Sequence, residues 1–447
     1  MPYNPFGKSL DDLVGADLAA LREVAEGWYV EYKSALIDTK SLAKSLSAFA
    51  NHYGGWLILG VQEKDRLANS FPGLDVAEIP EAERRLRDAS KDCLNPSVFY
   101  THRIINGPVP ELGLPEGRAV VAVHAPLGLH APYVHNDGRI YRRVADASSP
   151  KPETDRAVLD LLWKRGRDAR KHIKKLTSRS PVVSTGEESA PFVHVFISGD
   201  PLQQGGRIYR PTFDTFAEVM KGDPLPFDNI FSAGDGYVAR QVANNDPHRR
   251  IFTWEYNFVG HSWVTIPINA YSEIRPWFDG YDHVDKFDEL MASKDGAHWG
   301  PTVLDLNVLF AAIGAVCTRH RQILAPHGFD GPFYVKAHVE HVWRCVPFLD
   351  TEAFVSFVRE HGVPVVQEDS AVVPPGVSLN SFVMLDKRAP DSDQQIGDAV
   401  LLTGFVLSAL GIPFEVFQKS APEIGHLLDR QKWAQRLRSD RMSKDEL

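Results

Sequence analysis

The sequence predicts a two-domain protein, in which an N-terminal α/β (α+β) domain is followed by a second α+β domain. The chain of 447 residues is longer than one hydrophobic core usually organises. Helical and strand-like patterns alternate through both halves of the chain. Between the halves, the polar and breaker-rich stretch SPVVSTGEESAP interrupts the periodicity and predicts a linker.

The first domain begins with alternating helices and strands. Residues 9–26 place their leucines on one helical face, and Ser9 is a candidate N-cap, so a helix is predicted there. WYVEYKSALI predicts a strand, TKSLAKSLSAFAN a second helix, and WLILGV a strand buried on both faces. Gly54 and Gly55 provide the tight turn that precedes this strand.

The rest of the first domain continues the alternation. IPEAERRLRDASKDCL predicts a helix, and VFYTHRII, RAVVAVHAP and GRIYRRV predict strands. DRAVLDLLW predicts a final helix, which runs directly into the basic segment KRGRDARKHIKKLTSR. The predicted organisation is therefore an N-terminal domain over residues 1–163, a basic helix and linker over 164–189, a second domain over 190–425 and a charged tail over 426–447.

The second domain combines predicted strands and apolar helices but carries no recognisable catalytic motif. FVHVFISG, RIFTWEYNFVG, WVTIPIN and GPFYVKAHVEHVW predict strands, while VLDLNVLFAAIGAVCTRHRQIL and AVLLTGFVLSALG predict buried helices. Trp254, Tyr256 and Phe258 share one strand face, which favours a core, although a stacking platform has the same pattern. His338 and Glu340 share a face that His341 does not, so HVEH predicts no metal site.

Composition excludes several classes of protein. The formal net charge of −9 argues against coating of nucleic acid by the whole chain, so any such contact requires a local basic patch. The three cysteines are too few and too scattered for a disulfide framework. We expect a cytoplasmic protein, because neither a signal peptide nor a membrane span is apparent.

The stretch EGWYVEYK contains the most suggestive group of charged residues. Strand alternation presents Glu31 and Lys33 on the same face, and Glu26 can fold back over that face after Gly27. Carboxylates beside a lysine suit metal-dependent phosphodiester cleavage, in which the carboxylates hold Mg²⁺ or Mn²⁺ and the lysine offsets charge in the transition state. The alternative is a solvated ion pair worth less than about 1 kcal/mol.

The region from about residue 10 to residue 163 resembles the Schlafen AlbA-like domain. The resemblance rests on the E-x-x-x-x-E-x-K spacing, the SAFAN helix end, the Gly-Gly pair, GV followed by an acid, and a terminal YRR. It implies an α/β domain that binds nucleic acid and, in some members, cleaves RNA through three carboxylates. By position these are Glu26, Glu31 and Glu63, where Glu63 replaces the aspartate usual after GV. Many bacterial members of the family are regarded as DNA-binding regulators.

Several basic residues could contact phosphates and position a nucleic acid. Tyr29 and Tyr141 are candidates for base stacking. The alternative for the basic segment is a solvated helix that spaces two domains. The candidate phosphate contacts are Lys40, Lys44, Arg142, Arg143, Arg167, Arg170, Lys171 and Lys174.

Two hypotheses of different classes follow. The first is a metal-dependent endonuclease acting on RNA or DNA through Glu26, Glu31 and Glu63, with Lys33 as electrostatic stabiliser and Mg²⁺ or Mn²⁺ as cofactor. The second is a non-catalytic DNA-binding regulator, or a defence or stress sensor, whose second domain recognises a signal or dimerises. No nucleotide cofactor is expected, because the sequence lacks a phosphate-binding loop. Homo-oligomerisation is left open.

Overall fold

The computed structural model separates the chain into two compact units, residues 1–172 and 173–447. It describes residues 3–8, 10–144, 149–179, 190–202, 207–222, 226–241, 252–271, 281–292, 300–329, 331–377, 381–385 and 392–427. Helices and strands occur in both units, so the predicted mixed α and β class is confirmed. No helix among the described residues is both long and apolar enough to cross a membrane.

The N-terminal unit is built on a mixed sheet. Its strands are β1 (Val30–Lys33), β2 (Gly55–Leu59), β3 (Gln62–Lys64), β4 (Leu67–Ser70), β5 (Leu74–Asp75), β6 (Leu94–Asn95), β7 (Thr101–Asn106), β8 (Arg118–Ala125), β9 (Val134–His135), β10 (Tyr141–Arg142) and β11 (Lys151–Pro152). The main sheet has the order β1-β2-β8-β5, and β7 also pairs with β8. β1 and β2 are parallel, whereas β2, β5 and β7 each run antiparallel to β8.

Helices and helical turns cover both faces of this sheet. The helices are α1 (Thr39–Asn51), α2 (Ile79–Asp92) and α3 (Arg156–Thr177), the last of which crosses the boundary between the two units. Asp38 caps α1 by accepting the Ser41 N–H at 3.0 Å. Leu42, Leu46 and Phe49 of α1 are fully buried, as the helical pattern predicts. One core therefore lies between the sheet and α1 and α2.

A second core lies on the other face of the sheet and corrects the first predicted helix. Residues 9–26 form not one α-helix but two 3₁₀ segments, Leu10–Asp12 and Gly15–Glu23, and Ser9 lies outside the described residues. The second segment has its own N-terminal hydrogen bond, in which the Asp17 side chain accepts the Val14 N–H at 2.9 Å. Leu18 and Leu21 still become fully buried, because the segment packs its apolar face on this side of the sheet.

The C-terminal unit is organised around a larger antiparallel sheet. Its strands are β12 (Phe192–Ser198), β13 (Asn229–Ala233), β14 (Gly236–Arg240), β15 (Thr253–Asn257), β16 (His261–Pro267), β17 (Asn269–Tyr271), β18 (Val303–Asp305), β19 (Phe333–Glu340), β20 (Val346–Phe348), β21 (Ser370–Val373) and β22 (Val383–Leu385). The main sheet has the order β13-β14-β15-β16-β12-β19-β21, with β22 also paired to β19. β17, β18 and β20 form a smaller sheet.

The helices of this unit are α4 (Phe213–Lys221), α5 (Val284–Ala292), α6 (Leu309–Leu324), α7 (Glu352–His361), α8 (Ser392–Ala409) and α9 (Phe414–Leu427). One predicted helix is shortened, because its first residues, Val303–Asp305, pair with β17 and β20 as β18. Trp254 and Tyr256 are buried in the core of the unit, so the core interpretation of these rings is confirmed. The charged tail predicted from residue 426 lies almost entirely outside the described residues.

Candidate functional site

β1 presents Glu31 and Lys33 together, as strand alternation predicts. The Lys33 Nζ lies 2.9 Å from the Glu31 Oε1. Val30 and Tyr32 point to the opposite face, where they are buried in the second core. Burial differs between the two residues, because the Glu31 side chain is only 1% exposed and that of Lys33 is 27% exposed. The pair is therefore not a solvated surface ion pair.

Arg143 completes the burial of Glu31. Its Nη1 donates to the Glu31 Oε2 at 3.0 Å, and its Nε donates to the Gly27 carbonyl at 2.8 Å. The guanidinium also lies 5.6 Å from the centre of the Phe49 ring. The side chain is 0% exposed, so the predicted phosphate contact for Arg143 is wrong. A buried carboxylate requires a buried, hydrogen-bonded cation, and Arg143 has that role here.

Glu26 lies in the same polar cluster, as the predicted fold-back requires. Its Oε1 accepts the Tyr32 N–H at 3.3 Å, and its carbonyl accepts two N–H groups of Arg66 at 2.8 and 3.1 Å. Burial raises the pKa of Glu26 to about 7, and the charge of Glu31 adds to this, while Lys33 and Arg143 oppose it. A carboxyl with this pKa exchanges its proton near neutral pH.

The three predicted metal ligands do not assemble into a metal centre. Both oxygens of Glu31 already contact cations, and the raised pKa of Glu26 shows that its charged form is disfavoured. Glu63 lies on β3, where its Oε2 is buried without a hydrogen-bond partner among the described residues. The described part of the chain contains no group of three or more His, Cys, Asp or Glu side chains that could hold a metal ion. These residues, in this arrangement, do not fit Mg²⁺ or Mn²⁺.

The other predicted phosphate contacts differ in accessibility. Lys40 is exposed on α1, and the partly buried Lys44 has its Nζ 5.4 Å from the centre of the Tyr141 ring. Arg142 is 29% exposed and pairs with Glu153. Tyr141 is only 3% exposed, so its predicted role in base stacking is wrong.

The basic segment predicted from the sequence lies on α3. Its buried positions are Leu162, Gly166, Ala169 and Ile173. Helical spacing places the exposed basic residues on the opposite side. None of these residues pairs with an acid among the residues that the structure describes. We call them the cationic face of α3: Arg167, Arg170, Lys171 and Lys174.

Sequence reasoning missed a group of aromatic side chains next to the polar cluster. Trp28, His52 and Tyr53 contact one another, with ring centres 3.8 to 6.1 Å apart. Tyr53 is 53% exposed. The signal available in the sequence was NHYGG, because two exposed-type aromatic residues directly precede a glycine turn.

That glycine turn is required by the packing. Gly54 has φ of +76°, and a Cβ there would lie 2.7 Å from the Leu127 backbone nitrogen. A Cβ on Gly55 would lie 2.3 Å from the Phe49 ring and 2.7 Å from the Tyr29 carbonyl oxygen. These positions accept only glycine, which supports the structural interpretation of the pair.

The C-terminal unit also has a polar group on one face of its main sheet. His194 Nε2 lies 3.0 Å from Glu340 Oε2, and His338 Nδ1 lies 3.3 Å from Glu340 Oε1. His194 also contacts Thr265, at 3.1 Å. His338 and Glu340 share a face as predicted. His194 links Thr265 and Glu340 by hydrogen bonds across β12, β16 and β19, and the His338 Nδ1 lies near Glu340 without a hydrogen bond.

Comparison with known proteins identifies the class of the N-terminal unit. Residues 26–152 match the family model described as Schlafen, AlbA_2. The resemblance seen in the sequence is thereby confirmed for this region, which contains Glu26, Glu31, Lys33, Glu63 and Arg143.

The remaining comparisons add no argument about function. The crystal structure of the DIP2311 protein from Corynebacterium diphtheriae matches at 17% identity and a TM-score of 0.22. The match covers 36% of this chain and 33% of that protein, so it spans about a third of the solved chain. No curated protein matches the sequence.

Proposed function

We propose that the protein binds nucleic acid through its N-terminal unit and acts by binding, as a DNA- or RNA-associated regulator or sensor does. The match of residues 26–152 to the Schlafen, AlbA_2 family supports this function. The observation that carries the proposal is the cationic face of α3. Its side chains are exposed and point away from the buried side of the helix, which is the arrangement that phosphate contacts require.

The electrostatics of the whole chain fit local binding. With a formal charge of −9, the molecule as a whole repels a polyanion, so attraction depends on a concentrated basic surface. The exposed Lys40 on α1 and the partly exposed Arg142 on β10 add positive charge within the same unit. Binding through phosphates is independent of base sequence and strongly dependent on salt.

Charge reversal on the cationic face tests this function. Arg167, Arg170, Lys171 and Lys174 are changed to Glu, and affinity for labelled DNA and RNA is measured by fluorescence anisotropy at several salt concentrations. We expect affinity to fall at least roughly tenfold for all sequences alike, and the slope of log K against log salt to become shallower by about 3. Circular dichroism checks that the fold is kept.

A matched control separates this effect from a general change of charge. Arg87, Lys91, Arg103 and Arg118 are exposed on α2, β7 and β8 of the same unit. Changing these four residues to Glu alters the net charge by the same amount as the change on α3. This control variant should nevertheless keep most of its affinity for nucleic acid and most of the salt dependence of binding. Equal losses in the two variants would show that α3 has no special role.

A second candidate function, phosphodiester cleavage, is favoured by Glu26. A carboxyl whose pKa is about 7, buried beside the partly exposed Lys33, has the proton affinity that a general acid or base requires. The three glutamates do not supply a metal centre in this arrangement, so both metal-supplemented and metal-free conditions must be assayed. The substrates are structured RNA and single-stranded DNA, with Mg²⁺, Mn²⁺ or EDTA.

The burial of Lys33 and Glu31 determines which substitutions the protein should tolerate in this assay. Lys33→Met removes a partly exposed charge, so it should slow cleavage. Glu31 stays paired with Arg143 in this variant, so the protein should remain folded. Glu31→Gln should also reduce cleavage, but it disturbs a buried ion pair and must be accompanied by a melting curve. If the unmutated protein binds and never cuts, the cluster is structural and the binding function stands alone.

A further inference from the structure

A chain of aromatic rings lies on the surface of the N-terminal unit. Tyr3 stacks on Tyr29 with ring centres 4.8 Å apart, and Tyr29 lies 5.8 Å from Tyr53. The Tyr53 ring is 3.8 Å from that of His52, which lies 4.7 Å from Trp28. We call Trp28, Tyr29, His52 and Tyr53 the aromatic platform.

The platform lies at the edge of the second core, against which Tyr29 packs. Tyr53 is 53% exposed and Tyr3 is 38% exposed, while Trp28, Tyr29 and His52 are partly buried. The exposed Tyr53 ring and the partly exposed rings beside it form one contiguous aromatic surface. The surface is available to a flat apolar ligand.

The platform is held rigidly from beneath. Gly54 and Gly55 leave no room for side chains, so the turn that carries His52 and Tyr53 packs directly on Phe49 and the Tyr29 carbonyl. The Gly54 N–H donates to the Phe49 carbonyl at 2.9 Å. Rings presented by a rigid turn lose little conformational entropy when a ligand stacks on them.

Positive charge adjoins the platform. Burial lowers the pKa of His52 to about 4, and the nearby charges of Arg142 and Arg165 lower it further, so this ring is neutral at pH 7. Arg165 donates to the Asn51 carbonyl at 3.1 Å, which joins α3 to the end of α1 beside His52.

Aromatic rings beside cations match one class of ligand. In a single strand the bases expose their faces for stacking and the phosphates follow a basic groove, whereas in a duplex the base faces are already stacked on one another. We propose that the aromatic platform stacks unpaired bases, so that the N-terminal unit prefers single-stranded nucleic acid or single-stranded segments. This inference rests on the proposed nucleic-acid-binding function and names the substrate class of that surface.

The test compares single strands with duplexes. The full-length protein and its Tyr53→Ala variant are titrated into labelled oligo(dT), oligo(U) and a DNA duplex at fixed and at varied salt. We expect Tyr53→Ala to weaken binding of both single strands by about tenfold, as loss of a stacked base does, without changing duplex affinity or the salt slope. Tyr53→Phe, which keeps the ring, should bind single strands like the unmutated protein.

A control variant and the opposing outcomes complete the experiment. Phe99 is 52% exposed in the same unit and belongs to no part of the platform, so Phe99→Ala should change nothing. If the unmutated protein binds neither probe, both the proposed function and this inference fail. If it binds but Tyr53→Ala leaves single-strand affinity intact, or weakens duplex affinity equally, the function stands and this inference is overturned.

Discussion

Arg143 and Glu31 form an ion pair with almost no exposed surface. The guanidinium also donates to the carbonyls of Gly27 and Val30, so it joins the turn before β1 to the strand itself. A buried ion pair of this kind adds little stability compared with apolar residues, but removing one partner leaves a buried charge uncompensated. The pair therefore determines the local geometry of the segment that carries Glu26 and Lys33.

Replacement of Arg143 tests this role. We expect Arg143→Met to lower the free energy of unfolding by about 3–5 kcal/mol, because Glu31 is left buried beside Lys33 alone. Adding Glu31→Leu should restore part of that loss, since it removes the fully buried charge and leaves only the partly exposed Lys33 without its partner. Urea unfolding measures both variants. Arg84→Met on α2, which removes exposed ion pairs, should cost less than about 1 kcal/mol.

The pKa of Glu26 predicts a dependence of stability on pH. Its pKa is about 7 in the folded protein against an ordinary value of 4.5, so the folded state binds more protons than the unfolded state between these values. The free energy of unfolding should therefore fall as pH rises through this interval, by about 3 kcal/mol. Glu26→Gln has no ionisable group at this position. The free energy of unfolding of this variant minus that of the unmutated protein should therefore increase from pH 5 to pH 8.

Urea unfolding of the full chain and of Glu26→Gln at matched pH values measures this difference. Contributions from all other groups cancel in the comparison. A difference that is constant with pH would show that Glu26 keeps an ordinary pKa in the folded protein.

At the scale of elements, the turn between α1 and β2 brings the two parts of the candidate surface together. It presents His52 and Tyr53 on its outer side, while Phe49 packs under Gly55 on its inner side. The Phe49 ring is also the ring that the Arg143 guanidinium covers. The glycines therefore support the polar cluster and the aromatic platform at once.

A side chain at position 55 should disturb this arrangement. We expect Gly55→Ala to destabilise the protein by about 2 kcal/mol or more, because its Cβ would require both the Phe49 ring and the β1 backbone to move. Thermal unfolding provides the measurement. In contrast, Gly314→Ala in α6 places its Cβ 3.6 Å from Ala399 and should be neutral or slightly stabilising. Equal effects of the two changes would contradict the packing argument.

At the scale of the whole molecule, the chain combines a region that matches the Schlafen, AlbA_2 family model with a second compact unit. The second unit has its own extensive apolar core, which includes Trp254 and Tyr256. A unit with its own core can evolve and fold as a module. We therefore expect cleavage in the predicted linker that follows α3 to leave the core of the second unit folded.

Limited proteolysis tests this separation. The stretch TSRSPVVSTGEESAP lacks periodicity and is rich in polar and breaker residues. We expect trypsin and a glutamate-specific protease to cut first between about residues 177 and 190, giving two resistant fragments. First cleavage elsewhere, or a single resistant species, would show that the halves form one cooperative unit.

The local patterns of this sequence specified much of the fold. α1, α2, β2, β8 and the length of α3 follow from periodicity, caps and glycines, which depend on neighbouring residues alone. The region of family resemblance likewise followed from local spacing, and it is confirmed over residues 26–152. Shared orientation of Glu31 and Lys33 was also predictable, since strand alternation determines it.

Burial and long-range partners were decided only by the tertiary structure. Arg143 lies 112 positions from Glu31 in sequence, and no local pattern reveals that it folds inward to neutralise that carboxylate instead of facing a phosphate. The same is true of Glu63, which does not assemble with Glu26 and Glu31 into a metal centre, and of Tyr53, whose ring joins others from separate segments. Sequence alone determined which side chains carry charge or π surface. Tertiary packing decided which of them reach water, because burial depends on contacts between residues far apart in the chain.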